Sequence, residues 1–188
     1  MIRVIRGVQT PFTKLVRPSL SVLLFWLVAL SLQAQSIPHT EAETLAGKRI
    51  VLPDAFDRHP AILVIGFSRS GGDSAGRWDK QLRKDLAGEK SVHIFSVAEL
   101  QDAPKLARGL IRHGMRGGVP QNEHDSFVLL YQDEDVWKKL ADFSDTNDAY
   151  VLLVDSAATI RWRAHGRVPD EQTVSTLRKE VAELTGNK

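Results

Sequence analysis

The run Ala61-Ile-Leu-Val-Ile65, set between Pro60 and Gly66, constrains this chain more than any other feature. Every position is apolar and several are β-branched. The polar-apolar alternation that marks a strand with one wet face is missing. Such a run predicts a strand buried on both faces, so its sheet needs a packed layer on each side.

The segments around it supply those layers. Residues 49–52 read as a short strand stopped by Pro53. After a Ser/Gly loop, residues 74–88 read as a helix, with Trp78, Leu82 and Leu86 four apart on one face, Asp73 or Ser74 as N-cap and Gly88 as stop. Residues 92–97, 126–131 and 150–154 read as further strands. Pro104 opens a helix through Met115, with Leu106, Leu110 and Ile111 expected inward, and residues 136–143 form a short helix. A turn at 155–159 leads into a hairpin partner at 160–164, and Val174, Leu177, Val181 and Leu184 mark a closing amphipathic helix. Strand–helix alternation ending in a hairpin and a helix predicts a three-layer α/β/α sandwich with a mixed central sheet.

The first 34 residues are of another kind. They hold Arg3, Arg6, Lys14 and Arg17 and no acid, followed by a mostly apolar stretch at 20–32 that ends near Ala34. Basic residues, a short apolar stretch and a small residue at the end describe a secretory signal peptide. The stretch falls short of the roughly 20 residues that span a bilayer. The expected organisation is a signal peptide at 1–34, a polar linker at 35–48 and one domain at 49–188, in a periplasmic or secreted protein. A segment left uncleaved would tether the domain to a membrane. Charge agrees with this division. The whole chain is formally +2, but taking those four cations from its 25 leaves 21 against 23 acids. The body is therefore slightly acidic, which gives no reason to expect nucleic acid.

The chain has no cysteine. That excludes disulfides, thiolate nucleophiles and Cys-ligated zinc. Histidines 39, 59, 93, 113, 124 and 165 show no paired helical spacing, and neither metal nor cofactor is expected. The acids at 133–135, 142, 145 and 148 lack the spacing of a calcium loop. Two basic groups could meet a partner or an anionic membrane. One is Arg161-Trp162-Arg163, whose arginines share one face of a strand; the other is Arg108, Arg112, His113 and Arg116 on the second helix.

The loop after the apolar strand, Gly66-Phe-Ser-Arg-Ser-Gly-Gly-Asp73, holds the other candidates. A Ser/Gly loop at a helix N-terminus gathers free N–H groups, so Ser68, Arg69, Ser70, Gly71, Gly72 and Arg77 are candidate ligands for a small anion. The same loop approximates a nucleophile elbow. Ser68, followed in chain order by Asp155 and His165, would then form a hydrolase triad.

The order of elements resembles the thioredoxin superfamily in its peroxiredoxin-like branch. The residues that carry the likeness are AILVIGF at 61–67, SRSGGDSAGRW at 68–78 and DSAATIRWRAHG at 155–166. Within that superfamily the chain is most similar to the cysteine-poor branch of mitochondrial ATP synthase assembly factors, through Phe67, Arg69, Trp78, Tyr150, Leu152, Asp155, Arg161 and Trp162. The resemblance implies a protein-binding assembly or folding factor, with a membrane complex as partner. It also implies that Ser68 and Ser70 stand where redox members carry cysteines, and that Asn147-Asp148-Ala149 replaces their cis-proline. Disulfide exchange and peroxide reduction by thiols are then out of reach. The readings left open are a redox-inactive protein-binding factor, an anion-binding module and a serine hydrolase.

Overall fold

The computed structural model describes residues 35–186; the expected signal segment lies outside them. Seven strands form one sheet: β1 (Thr40–Thr44), β2 (Arg49–Leu52), β3 (Ala61–Gly66), β4 (His93–Glu99), β5 (Phe127–Leu130), β6 (Ala149–Val154) and β7 (Ile160–Gly166). Among the described residues four α-helices accompany them: α1 (Arg69–Asp85), α2 (Lys105–Gly118), α3 (Glu134–Ala141) and α4 (Glu171–Thr185). The spatial order is β2-β1-β5-β4-β3-β6-β7. β3, β4 and β5 run parallel and the other pairings are antiparallel.

The apolar run at 61–65 is fully buried and central, between β4 and β6. Its alternate residues feed two cores. Leu63 and Ile65 join Phe95, Val97, Val128, Leu130, Tyr150 and Leu152 on one face, under Trp137 of α3. Ile62 and Val64 join Val151 and Leu153 on the other, under Trp78 and Leu82 of α1 and Val174, Leu177 and Val181 of α4. Ala98 and Leu129 continue that second face and meet Met115 of α2. This is the expected three-layer sandwich.

Three local expectations give way. Residues 35–48 are no linker: β1 lies inside the sheet, paired with both β2 and β5. Ile37, Ala42 and Leu45 are buried, and Ile37 N–H donates to the Ala158 carbonyl at 2.9 Å. The inward residues of β1 are Thr40, Ala42 and Thr44, too polar or small to announce a strand. Helix α1 begins five residues earlier than expected, at Arg69, because Ser68 and not Ser74 caps it; it ends at Asp85, before Gly88. Helix α2 has no buried residue, and the two leucines expected inward point out: Leu106 is 101% exposed and Leu110 75%.

Candidate functional site

The Ser68 loop is built by close approach of backbone. A Cβ on Gly66 would lie 2.7 Å from the Gly72 nitrogen, so the chain can double back from β3 into α1 only with glycine there. A Cβ on Gly71 would lie 2.9 Å from the Thr146 carbonyl oxygen and 3.0 Å from that of Asp148. The loop before β6 therefore rests directly on the first turn of α1.

Side chains fasten this contact. Ser68 Oγ accepts from Gly71 N–H at 2.9 Å and donates to the Thr146 carbonyl at 2.6 Å. Ser74 Oγ donates to the Asn147 carbonyl at 2.7 Å and accepts from Arg77 at 2.8 Å. Arg77 Nε donates to the Arg167 carbonyl at 2.9 Å, and Trp78 Nε1 donates to that of Gly166 at 2.9 Å. Of the candidate anion ligands, Ser68, Gly71 and Arg77 thus serve the protein's own backbone. Arg69, Ser70 and Gly72 are exposed on the outer side of the turn.

The strand register decides the triad geometry. Gly66 pairs with Ala149, and Ala149 with Gly166, so Ser68 and His165 share one end of the sheet. Asp155 follows Val154, which pairs with Ala61 at the opposite end. There Asp155 Oδ1 accepts from Ala157 and Thr159 N–H, both at 2.9 Å, and shapes the β6–β7 turn. The carboxylate on His165 is that of Asp148, 2.8 Å from Nδ1. The Ser68 proton goes to a carbonyl, so the triad does not assemble.

Sequence reading missed what surrounds His165. Its ring stacks on Tyr150 at 5.5 Å and 20°. The buried Tyr150 hydroxyl accepts from Ser144 and Asp145 N–H at 2.8 Å and donates to the Asp145 carbonyl at 2.9 Å. Arg167 reaches Asp145 at 3.2 Å and Asp148 at 3.8 Å. Hydrogen bonds from the Asn147 backbone and side chain, and from Arg167, hold the Asp145 carboxyl below its usual range. The acids at 145 and 148 were visible in sequence, but their pairing with 165 and 167 depends on β6–β7 register.

A second polar group lies where β4 ends. Glu99 is 8% exposed and Glu134, at the start of α3, is 9%. Burial, opposed by a hydrogen bond from Gln101 N–H and reinforced by Glu134, raises the Glu99 carboxyl to about 7. Lys138 pairs with Glu134 and lies 4.9 Å over the Phe143 ring. Nothing in the sequence marks Glu99 beyond a lone acid closing an apolar strand. Among the described residues, no three metal-ligating side chains come together.

Comparison with known proteins places this geometry. The sequence profile of the ATP10 protein family matches residues 31–184. No curated protein matches the chain. Solved structures share its fold at low identity. BsSco, a member of the Sco family of cytochrome c oxidase assembly proteins, superposes with a TM-score of 0.57 at 12% identity, over 83% of this chain and 96% of that one. The exposed lipoprotein thioredoxin Etrx1 of Streptococcus pneumoniae gives 0.53 at 12% identity, over 76% and 99%. The thioredoxin domain of a thiol-disulfide oxidoreductase from Bacteroides vulgatus gives 0.52 at 18%, over 79% and 96%. With a profile match spanning nearly the whole sheet and its helices, this cysteine-free chain belongs to the ATP10 protein family and has a thioredoxin-like fold.

Proposed function

We propose that the protein is an exported assembly factor that binds a protein component of a membrane complex, the ATP synthase by family, and has no redox chemistry of its own. The observation that carries this reading is the Ser68 latch. The hydroxyl at a position where redox members of the fold carry a thiol is engaged twice, to Gly71 N–H and the Thr146 carbonyl. A Ser68 hydroxyl so engaged supports binding through the surface over serine-based chemistry. Family membership supports the assembly role, and the absence of cysteine supports the lack of thiol chemistry. The basic, then apolar, character of residues 1–34 supports export.

The test is a crosslinked pull-down of the tagged protein from its native envelope, read by mass spectrometry. Enrichment of ATP synthase subunits is expected. A clean monomer with no enriched membrane complex would overturn the assembly reading.

A further inference from the structure

Helix α2 packs Met115 on the core but turns Leu106 and Leu110 to solvent. Arg108 and Arg112 turn toward the body, and the exposed Arg116 lies at its edge. Arg108 donates to the carbonyls of Ala103 and Gln101 at 3.1 and 3.2 Å and lies 4.5 Å over the Tyr131 ring. Arg112 pairs with Glu43, and Arg116 donates to the Leu45 carbonyl at 2.7 Å. The opposite stripe, Leu106, Leu110 and His113, follows i, i+4, i+7 spacing and points to solvent. Gly109, Gly114 and Gly117 flank it, and a Cβ on any of them would meet nothing within 4 Å. The result is an exposed stripe with two leucines, bordered by glycines.

Charge selects what covers this stripe. The helix carries Lys105, Arg108, Arg112 and Arg116 and no acid, on a body that is slightly acidic. Hydrogen bonds to carbonyls leave the charges of Arg108 and Arg116 in place; of the three arginines, only Arg112 meets a carboxylate among the described residues. On helical spacing, Lys105 and Arg116 flank the leucine stripe on one side. Exposed leucines beside cations on a helix fit the boundary of an anionic bilayer, with leucines among acyl chains and cations at phosphates. Among the described residues, no helix is long and apolar enough to cross a membrane, so this contact is interfacial.

We infer that α2 is a docking surface for an anionic lipid bilayer, with Leu106 and Leu110 as the inserted residues and Lys105 and Arg116 as the phosphate contacts. This surface does not depend on which protein the molecule assists, and failure of the pull-down would leave it standing.

Because the chain has no cysteine, Leu110→Cys in the full-length protein takes a single nitrobenzoxadiazole label that reports this position alone. Mixed phosphatidylcholine–phosphatidylglycerol vesicles should shift its emission to the blue, while a label at exposed Ser175→Cys on α4 stays unchanged. Leu106→Glu should abolish the shift with the circular dichroism intact, and Lys105→Gln should weaken binding about fivefold, as loss of one cation near an anionic surface predicts. Three results would overturn the inference. One is no change at position 110 with anionic vesicles. Another is an equal change with phosphatidylcholine alone. The third is a change on adding a solubilised membrane complex but none with vesicles, which would give the stripe to a protein.

Discussion

Glu99 ends β4 beneath the surface and holds its proton to about 7, while in the unfolded chain it titrates near 4.5. Between those values the folded state binds the extra proton, so stability falls as pH rises through the window and levels off above it. The loss should be on the order of 2 kcal/mol. Urea midpoints at about pH 5 and about pH 8 measure it, and Glu99→Gln should flatten the difference and raise the midpoint at the higher pH. Gly71 is the matching steric case. Gly71→Ala puts a methyl 2.9 Å from one backbone carbonyl and 3.0 Å from another, and neither can swing away. A cost of about 1–3 kcal/mol is expected, read as a lower melting temperature. At this scale the sequence showed that the Ser/Gly loop mattered, but not why. Ser68 meets Thr146 only because β3 and β6 pair in the observed register, and spacing along the chain does not encode that partner.

Elements were legible where burial imposes a period. The strands at 61–66 and 149–154 are buried throughout, and the closing helix buries Val174, Leu177 and Val181 as its spacing predicted. Two elements were misread for opposite reasons. β1 looked like linker because its inward positions are threonines and an alanine. Leu45, directly after it, is fully buried. Leu45→Ala should therefore cost about 2–5 kcal/mol, a core penalty in a stretch that reads as polar lead-in; a change below about 0.5 kcal/mol would return the segment to linker status. In α2 two of the three residues expected inward, Leu106 and Leu110, point out, while Ile111 is half-buried, since spacing cannot say where on the helix the inward face is centred. Held by arginines and one core contact through Met115, with no side-chain cap and with glycines worth about 1 kcal/mol each against helix, α2 should exchange its amide hydrogens fastest of the four described helices. Mass-spectrometric exchange of the native protein checks this, and Arg112→Ala should quicken α2 without touching α1.

For the whole molecule, the three-layer class followed from one doubly buried strand, and the order of strands did not. β1 and β2 enter the sheet beyond β5, so the first described strands sit next to one made much later. Glu43 pairs with Leu129 and Thr44 with Val128. The earliest hairpin synthesised must therefore wait for most of the domain before it has a neighbour to dock on, and the wait spans β3, α1, β4 and α2. No nascent chain that stops short of Leu130 can close its sheet, whether it is still on the ribosome or partly through a membrane pore. Docking of this hairpin is a late step, and a chain interrupted before it would present an unfinished strand edge to whatever quality control is nearby.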